Sequence, residues 1–142
     1  MKFISVLTPC CNEEGNVREL YEQVREIINS LGGYTYEHLF IDNASTDSTV
    51  KILKEIAAED RNVKIIVNTR NFGHIRSPYY GLLQTKGDAA INISADLQDP
   101  PVLIKDFIKK WEEGCRIVVG VKNKSEENFI VFGIRRFYYK LI

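Results

Sequence analysis

Short apolar runs alternate with amphipathic stretches along this chain, and that alternation leaves few folds open to it. Residues 3–8, 36–41, 63–67, 89–93 and 116–121 are rich in β-favouring side chains and read as five strands. After the first, Val17, Leu20, Tyr21, Val24, Ile27, Ile28 and Leu31 recur every three or four positions, the spacing of a helix with one apolar face. Gly32-Gly33 ends that helix. A second helix carries Val50, Leu53, Ile56 and Ala57, with Ser45 or Thr46 as its cap. A third is predicted over 77–85, which keeps Pro78 in the first turn, where a missing N–H does no harm. A fourth, over 102–113, turns Leu103, Phe107, Ile108 and Trp111 inward and stops at Gly114. Near-continuous apolar strands separated by helices predict an α/β fold, a mainly parallel sheet covered by helices on both faces in a Rossmann-like layout.

Right-handed crossovers place every strand-to-helix loop on one edge of such a sheet. That edge receives residues 9–15, 42–47, 69–74 and 94–101, four loops rich in Asn, Asp, Glu, Gly and Arg. The opposite loops, 32–35 and 58–62, are plain connectors. Ligands of open α/β sheets bind at the carboxyl ends of the strands, so this asymmetry points to a site. The most chemical of the four loops is Ser94-Ala95-Asp96-Leu97-Gln98-Asp99-Pro100-Pro101. It puts two carboxylates and an amide just past a strand. Hard oxygen ligands on a short turn suit Mg²⁺ or Mn²⁺ shared with a phosphate. Asp99 is explained by capping the helix that Pro100 and Pro101 open; Asp96 and Gln98 are not.

Composition excludes several classes. The 142 residues are one domain's worth, enough to bury about 68–70% of the unfolded surface. Lys+Arg and Asp+Glu balance at 19 each, and no basic block serves a nucleic acid. No apolar run approaches the ~20 residues of a membrane span, and the first residues read as a strand, not a signal peptide. Cys10, Cys11 and Cys115 are odd in number and form no C-x-x-C, as expected in a reducing cytoplasm. Residues 1–121 read as the sheet domain. Residues 122–128 are polar, and 129–142 place Phe129, Phe132, Phe137 and Leu141 at helical spacing among Arg135, Arg136 and Lys140. The expectation is a truncated chain whose acceptor-side region lies beyond residue 142. No G-x-G-x-x-G and no G-K-[ST] is present, which argues against dinucleotide and P-loop chemistry. A nucleotidyltransferase would place a glycine- and arginine-rich loop after the first strand, and residues 9–15 contain no arginine. His74 reads equally as a cap or a ligand contact.

Five ordered segments resemble the family 2 glycosyltransferases of the GT-A fold, closest to the branch that moves a sugar onto a polyprenyl phosphate. They are Thr8-Pro9-Cys10-Cys11-Asn12-Glu13-Glu14, Asp42-Asn43-Ala44-Ser45-Thr46-Asp47-Ser48-Thr49, Arg70-Asn71-Phe72-Gly73-His74, Gly87-Asp88 and Ala95-Asp96-Leu97-Gln98-Asp99-Pro100-Pro101. The resemblance implies that Pro9, Cys11 and Glu13 line the base and ribose, and that Asp42, with Asn43 and Ser45, reads the nucleotide. It implies that Arg70, Asn71 and Gly73 approach phosphate or base, joined by Ser94, Ala95 and Arg135. Asp96 and Gln98 are the implied metal ligands, and Asp99 is the remaining carboxylate that could act beside them. Arg135 or Arg136 either meets a phosphate or lies on a solvated helix face.

The same resemblance implies an inverting hexosyltransferase that uses a UDP- or GDP-sugar, with Mg²⁺ or Mn²⁺, on a lipid-phosphate or cell-envelope glycan acceptor. No nucleic acid is expected. The domain is expected in the cytoplasm, at the membrane face in the full-length protein, with homo-oligomers left open. Three departures stand out. Cys11 replaces a usual aromatic, Asp42-Asn43-Ala44-Ser45 replaces D-D-G-S, and Ser94 replaces the first acid of D-x-D. They keep open a second expectation, a catalytically incomplete module that binds a nucleotide-sugar. Weak or absent transfer by this chain alone is expected in either case.

Overall fold

The structure is a computed structural model that describes residues 1–121; Arg135, Arg136 and the rest of 122–142 lie outside the described residues. Four strands and four helices alternate: β1 (Lys2–Cys10), α1 (Val17–Leu31), β2 (Tyr34–Asp42), α2 (Thr49–Glu59), β3 (Val63–Val67), α3 (Gly73–Gln84), β4 (Ala89–Asn92) and α4 (Leu103–Glu112). The sheet is parallel throughout, in the order β3-β2-β1-β4. β1 and β2 pair over their full length, from Lys2↔Tyr34 to Cys10↔Asp42. β4 pairs only with residues Ile4 to Leu7 of β1.

Side chains alternate across each strand, so each face has its own partners. Ile4, Val6, Tyr36 and Phe40 share one cluster with Val17, Leu20 and Val24 of α1, Leu53 and Ile56 of α2, and Ile104 and Ile108 of α4. Leu7, Leu39 and Ile41 form a smaller cluster on the other face, with Ile66 against it. There α3 covers β1 and β2. A Cβ on Gly81 of α3 would stand 2.8 Å from Leu7 Cδ1 and 3.1 Å from Ile41 Cγ2. The helix rests on the sheet backbone-close, and glycine permits that approach. Gly87 has the same role at the start of β4, where a Cβ would meet the Ser5 backbone nitrogen at 2.5 Å. Beside it Asp88 accepts the Phe3 N–H at 2.8 Å, so the Gly87-Asp88 pair is accounted for by packing on β1.

Four sequence expectations need correction. α4 begins at Leu103 with Val102 at its N-cap and no side-chain cap bond, so Pro100 and Pro101 precede the helix and Asp99 does not occupy its cap position. α3 begins at Gly73, not at 77, so Pro78 lies inside the helix. The first turn forms upstream of the proline because side-chain amides hold its leading N–H groups: Phe72 donates to Asn43 Oδ1 and Gly73 to Asn71 Oδ1. α2 begins at Thr49, beyond Ser45 and Thr46. The Ser45 hydroxyl is taken by Asp42, and Asp47 Oδ1 accepts the Thr49 N–H instead, at 2.9 Å. Finally, residues 116–121 form no strand, and Ile117, Val119 and Val121 are exposed. A strand needs a ladder partner. Among the described residues no strand pairs with this segment, and Gly120 lies beside the Phe107 ring of α4.

Candidate functional site

The strand order reverses at β1. The chain leaves β1 toward β2 and β3, then returns through α3 to place β4 on the other side of β1. That reversal makes the carboxyl ends of β1 and β4 a topological switch point, the usual ligand position in open α/β sheets. The Ile93 N–H donates to the Leu7 carbonyl, and beyond that β1 keeps only β2 beside it. Pro9 has the same parity as Leu7, so its missing N–H faces the side from which β4 has departed. Pro9 thus sits in a central strand without breaking a ladder.

Three of the four polar loops on this edge are bonded into one body. The Asn12 N–H donates to Ser45 Oγ at 2.8 Å, and Asn12 Oδ1 accepts the Thr46 N–H at 2.8 Å. Glu13 N–H donates to Thr49 Oγ1 at 2.8 Å, and Glu14 N–H to Asp47 Oδ2 at 3.1 Å. Glu14 Oε2 in turn accepts the Ser48 N–H at 2.8 Å. Burial opposes the charge on Asp47, but hydrogen bonds from Thr49 and Glu14 outweigh it and hold the carboxyl below its ordinary range.

Asp42 and Asn43 organise this body from beneath. Asp42 is fully buried and accepts from both the Ser45 N–H, at 3.0 Å, and the Ser45 hydroxyl. Asn43 uses its whole hydrogen-bonding capacity. Its amide nitrogen donates to Asn71 Oδ1 at 2.9 Å and to the Gly73 carbonyl at 3.3 Å. Its oxygen accepts from Phe72 N–H at 2.9 Å and Asn68 Nδ2 at 3.2 Å. An aspartate at position 43 could not make the two donations. Between these residues and Ser45, Ala44 has φ 63°, a left-handed conformation that glycine adopts without strain.

The fourth loop stands apart. Leu97 has φ 57°, and the Gln98 N–H returns to Asp96 Oδ1 at 3.1 Å, so the hydrogen bonds of Asp96 and Gln98 stay inside their own turn. Asp96, Gln98 and Ser94 are exposed, Ala95 is buried, and Asp99 is half-buried and not free. Arg70 is exposed and lies over the Phe72 ring, 4.8 Å from its centroid.

Six carboxylates (Glu13, Glu14, Asp42, Asp47, Asp96, Asp99) and one arginine, Arg70, occupy the four loops at this edge. A polyphosphate arriving there needs added positive charge. No three His, Cys, Asp or Glu side chains converge as metal ligands among the described residues. Mg²⁺ and Mn²⁺ need no such cage, since one or two protein oxygens and the phosphates of a ligand complete their shell. Asp96 and Gln98 fit that arrangement.

Other titratable groups nearby are shifted away from their charged forms. Burial, then the Asp42 charge, pushes both Cys10 and Cys11 thiols up, away from the reactive thiolate. His38 is fully buried against Thr8 Oγ1 at 2.9 Å and stacked on Phe40, and burial lowers its pKa to about 3. A cleft of about 340 Å³ lined by Tyr21, Arg25, Tyr36 and Asp60 opens at the amino edge, away from these loops.

Of the residues expected at the site, Cys11, Glu13, Asp42, Asn43, Ser45, Asn71 and Gly73 are brought together in the bonded body. Pro9 lies beside them, one residue before the end of β1, and Asp96 and Gln98 lie on the separate turn that follows β4. Sequence reading missed Asn12, Asp47 and Asn68. Asn68 joins Asn43 to Ser77 Oγ at 2.8 Å, and its only signal was an amide directly after a strand.

The sequence matches Glycosyl transferase family 2 over residues 5–140. It is 37% identical over 97% of its length to an uncharacterized glycosyltransferase of Bacillus subtilis (strain 168), YkcC, covering 43% of that protein. It is 36% identical over 97% of its length to the bactoprenol glucosyl transferase of Shigella phage SfX, covering 45% of it. The chain therefore spans less than half the length of these relatives. Among solved structures, a mannosyltransferase from Pyrobaculum calidifontis in complex with GDP-Man and Mn²⁺ superposes with a TM-score of 0.63 at 21% identity, over 76% of this chain and 31% of that one. S. aureus TarS in complex with UDP-GlcNAc superposes at 0.62 and 19% identity, over 90% and 37%. These likenesses fix the fold, and the match along nearly the whole sequence fixes the kinship: the chain belongs to glycosyl transferase family 2 and has the GT-A fold.

Proposed function

We propose that this chain is the donor-binding part of an inverting glycosyltransferase that moves a hexose from a UDP- or GDP-sugar to a polyprenyl phosphate at the cytoplasmic face of a membrane. The observation that carries the reading is the switch point between β1 and β4, with a bonded three-loop body following β1, β2 and β3 and the exposed Asp96 turn following β4. The bactoprenol glucosyl transferase relative supports the lipid acceptor. Among the described residues no helix is long and apolar enough to cross a membrane.

In this reading Asp42 and Asn43 shape the cradle and hold Ser45, Asn71 and Gly73 toward the nucleoside. Pro9, Cys11 and Glu13 form its β1 side. Arg70 offers a planar fork to phosphate or base. Asp96 and Gln98 would hold Mg²⁺ or Mn²⁺, which supplies Lewis-acid stabilisation of a departing diphosphate. An acceptor phosphate oxygen attacks C1 of the sugar, and the C1–O bond to the nucleoside diphosphate breaks, the electron pair leaving with it. An anionic acceptor needs no general base, which leaves Asp99 without an obligatory catalytic role. Catalysis then rests on positioning and leaving-group charge.

The test is calorimetric titration of UDP and GDP, with and without Mn²⁺, on the parent and Asp96→Ala. Metal-dependent binding of one nucleotide, weakened at least tenfold by Asp96→Ala, is the expected result. Metal-independent binding that Asp96→Ala leaves unchanged would favour a binding module without turnover, the reading to which Ser94 and Cys11 lend support. Absence of binding to either nucleotide would overturn both.

A further inference from the structure

α3 is turned inside out relative to an ordinary surface helix. The side chains it buries are Ser77 and Gly81, with Gly73 and Thr85 half-buried on the same stripe. Its large apolar side chains point away from the sheet: Ile75, Tyr79, Tyr80, Leu82 and Leu83 are exposed, Ile75 at 71%. Phe72 and Val67 extend the same surface, and a cleft of about 450 Å³ between β3 and α3 runs into it, lined by Ile66, Val67, Phe72 and Tyr80. Solvent-facing apolar surface of this kind marks a contact.

Charge says what the contact is with. Between Asp60 and Asp88 the chain carries Arg61, Lys64, Arg70, Arg76 and Lys86 and no acidic residue, although the whole chain is neutral. Lys64 pairs with Glu37, while Arg70, Arg76 and Lys86 are exposed around the apolar surface. A second copy docked by the same face would set these cations against their own counterparts. An anionic bilayer satisfies both halves of the surface at once. Aromatic and aliphatic side chains enter the headgroup boundary, tyrosine hydroxyls stay at the polar level, and the basic rim meets lipid phosphates.

We propose that the outward face of α3 is an interfacial docking surface for a bilayer containing anionic lipid. The argument rests on the helix and its charge, and not on the donor site. The experiment is co-sedimentation of the 142-residue chain with phosphatidylcholine vesicles, with and without phosphatidylglycerol, for the parent, Ile75→Glu/Tyr79→Glu and Arg76→Gln/Lys86→Gln. The expected result is binding to phosphatidylglycerol vesicles alone, reduced by salt. The first variant should weaken it at least tenfold and the second about threefold, with circular dichroism and UDP or GDP titration unchanged. Equal binding by parent and Ile75→Glu/Tyr79→Glu, or none to anionic vesicles, would overturn the proposal. So would a parent dimer that this variant makes monomeric without any vesicle binding. Nucleotide titration on the same samples separates the two readings: a parent chain that binds nucleotide but no anionic vesicle sinks only the docking surface.

Discussion

The two faces of the sheet are held by opposite means. Under α1, α2 and α4 the contact is made by bulk, with Phe40, Leu20, Leu53 and Ile104 interlocked and fully buried. Under α3 it is made by the absence of bulk, with Gly81 and Ser77 letting a helix lie against Leu7 and Ile41. The first face loses stability when atoms are removed, the second when they are added. The first leaves nothing for a partner, whereas the second frees every large side chain of its helix to meet one.

The sharpest way to break this contrast is to apply each kind of change to its sensitive face. Phe40→Ala should cost roughly 3–5 kcal/mol, read as a shifted urea midpoint, because a closed core cannot refill the cavity. A loss below 1 kcal/mol would mean that this face is looser than its burial indicates. His38, stacked on Phe40, gives the same face a pH signature. Its folded pKa is depressed to about 3, so the folded chain stays neutral there while the unfolded chain takes up a proton below its ordinary 6.5. Its contribution is therefore complete above pH 6.5 and is lost as pH falls toward 3, at a slope approaching ~1.4 kcal/mol per pH unit. Between pH 6.5 and 4.5 that loss amounts to roughly 2–3 kcal/mol. His38→Phe should flatten that limb in urea titrations at several pH values.

On the other face, Gly81→Val should cost about 1–3 kcal/mol by lifting α3 from Leu7 and Ile41. Thermal melts of this variant would detect it, and an unchanged midpoint would show that the helix can shift freely. Leu83→Gln marks the lower end. The residue is 61% exposed, so the change should stay within ~0.5 kcal/mol and test whether the outward face of α3 contributes to folding at all.

The same contrast explains what could be read from sequence. α1, α2 and α4 bury apolar stripes, and their periodicity located them to within a few residues. α3 buries small residues, so periodicity had nothing to register, and Pro78 drew the predicted start toward itself. The run Ile117-Val118-Val119 had strand composition, but no described strand pairs with it, and composition alone does not supply a ladder. At the site, the four polar loops and their common edge were legible because strand and helix order determine them. The four bonds of Asn43 were not. They depend on Asn68, Asn71, Phe72 and Gly73 arriving from 25 to 30 positions away, a convergence that only the folded sheet produces.

The parallel order of the strands has a further consequence for synthesis and refolding. No two neighbouring strands form a hairpin. β1 meets β2 across 32 residues, as at Ser5 and Glu37, but meets the β4 entry only across 85, as at Phe3 and Asp88. The longer closure costs only about 0.9 kcal/mol more by loop entropy, so it delays assembly far more than it weakens the result. At a ribosome adding roughly 5–20 residues per second, one side of β1 waits several seconds for its partner. During that wait it is a bare strand edge, the kind to which another nascent chain can add. Pro9 projects no N–H on that side, so a foreign strand extended along β1 loses its register there. The residue beside which β4 departs, next to the proposed donor site, also guards the strand before that site exists.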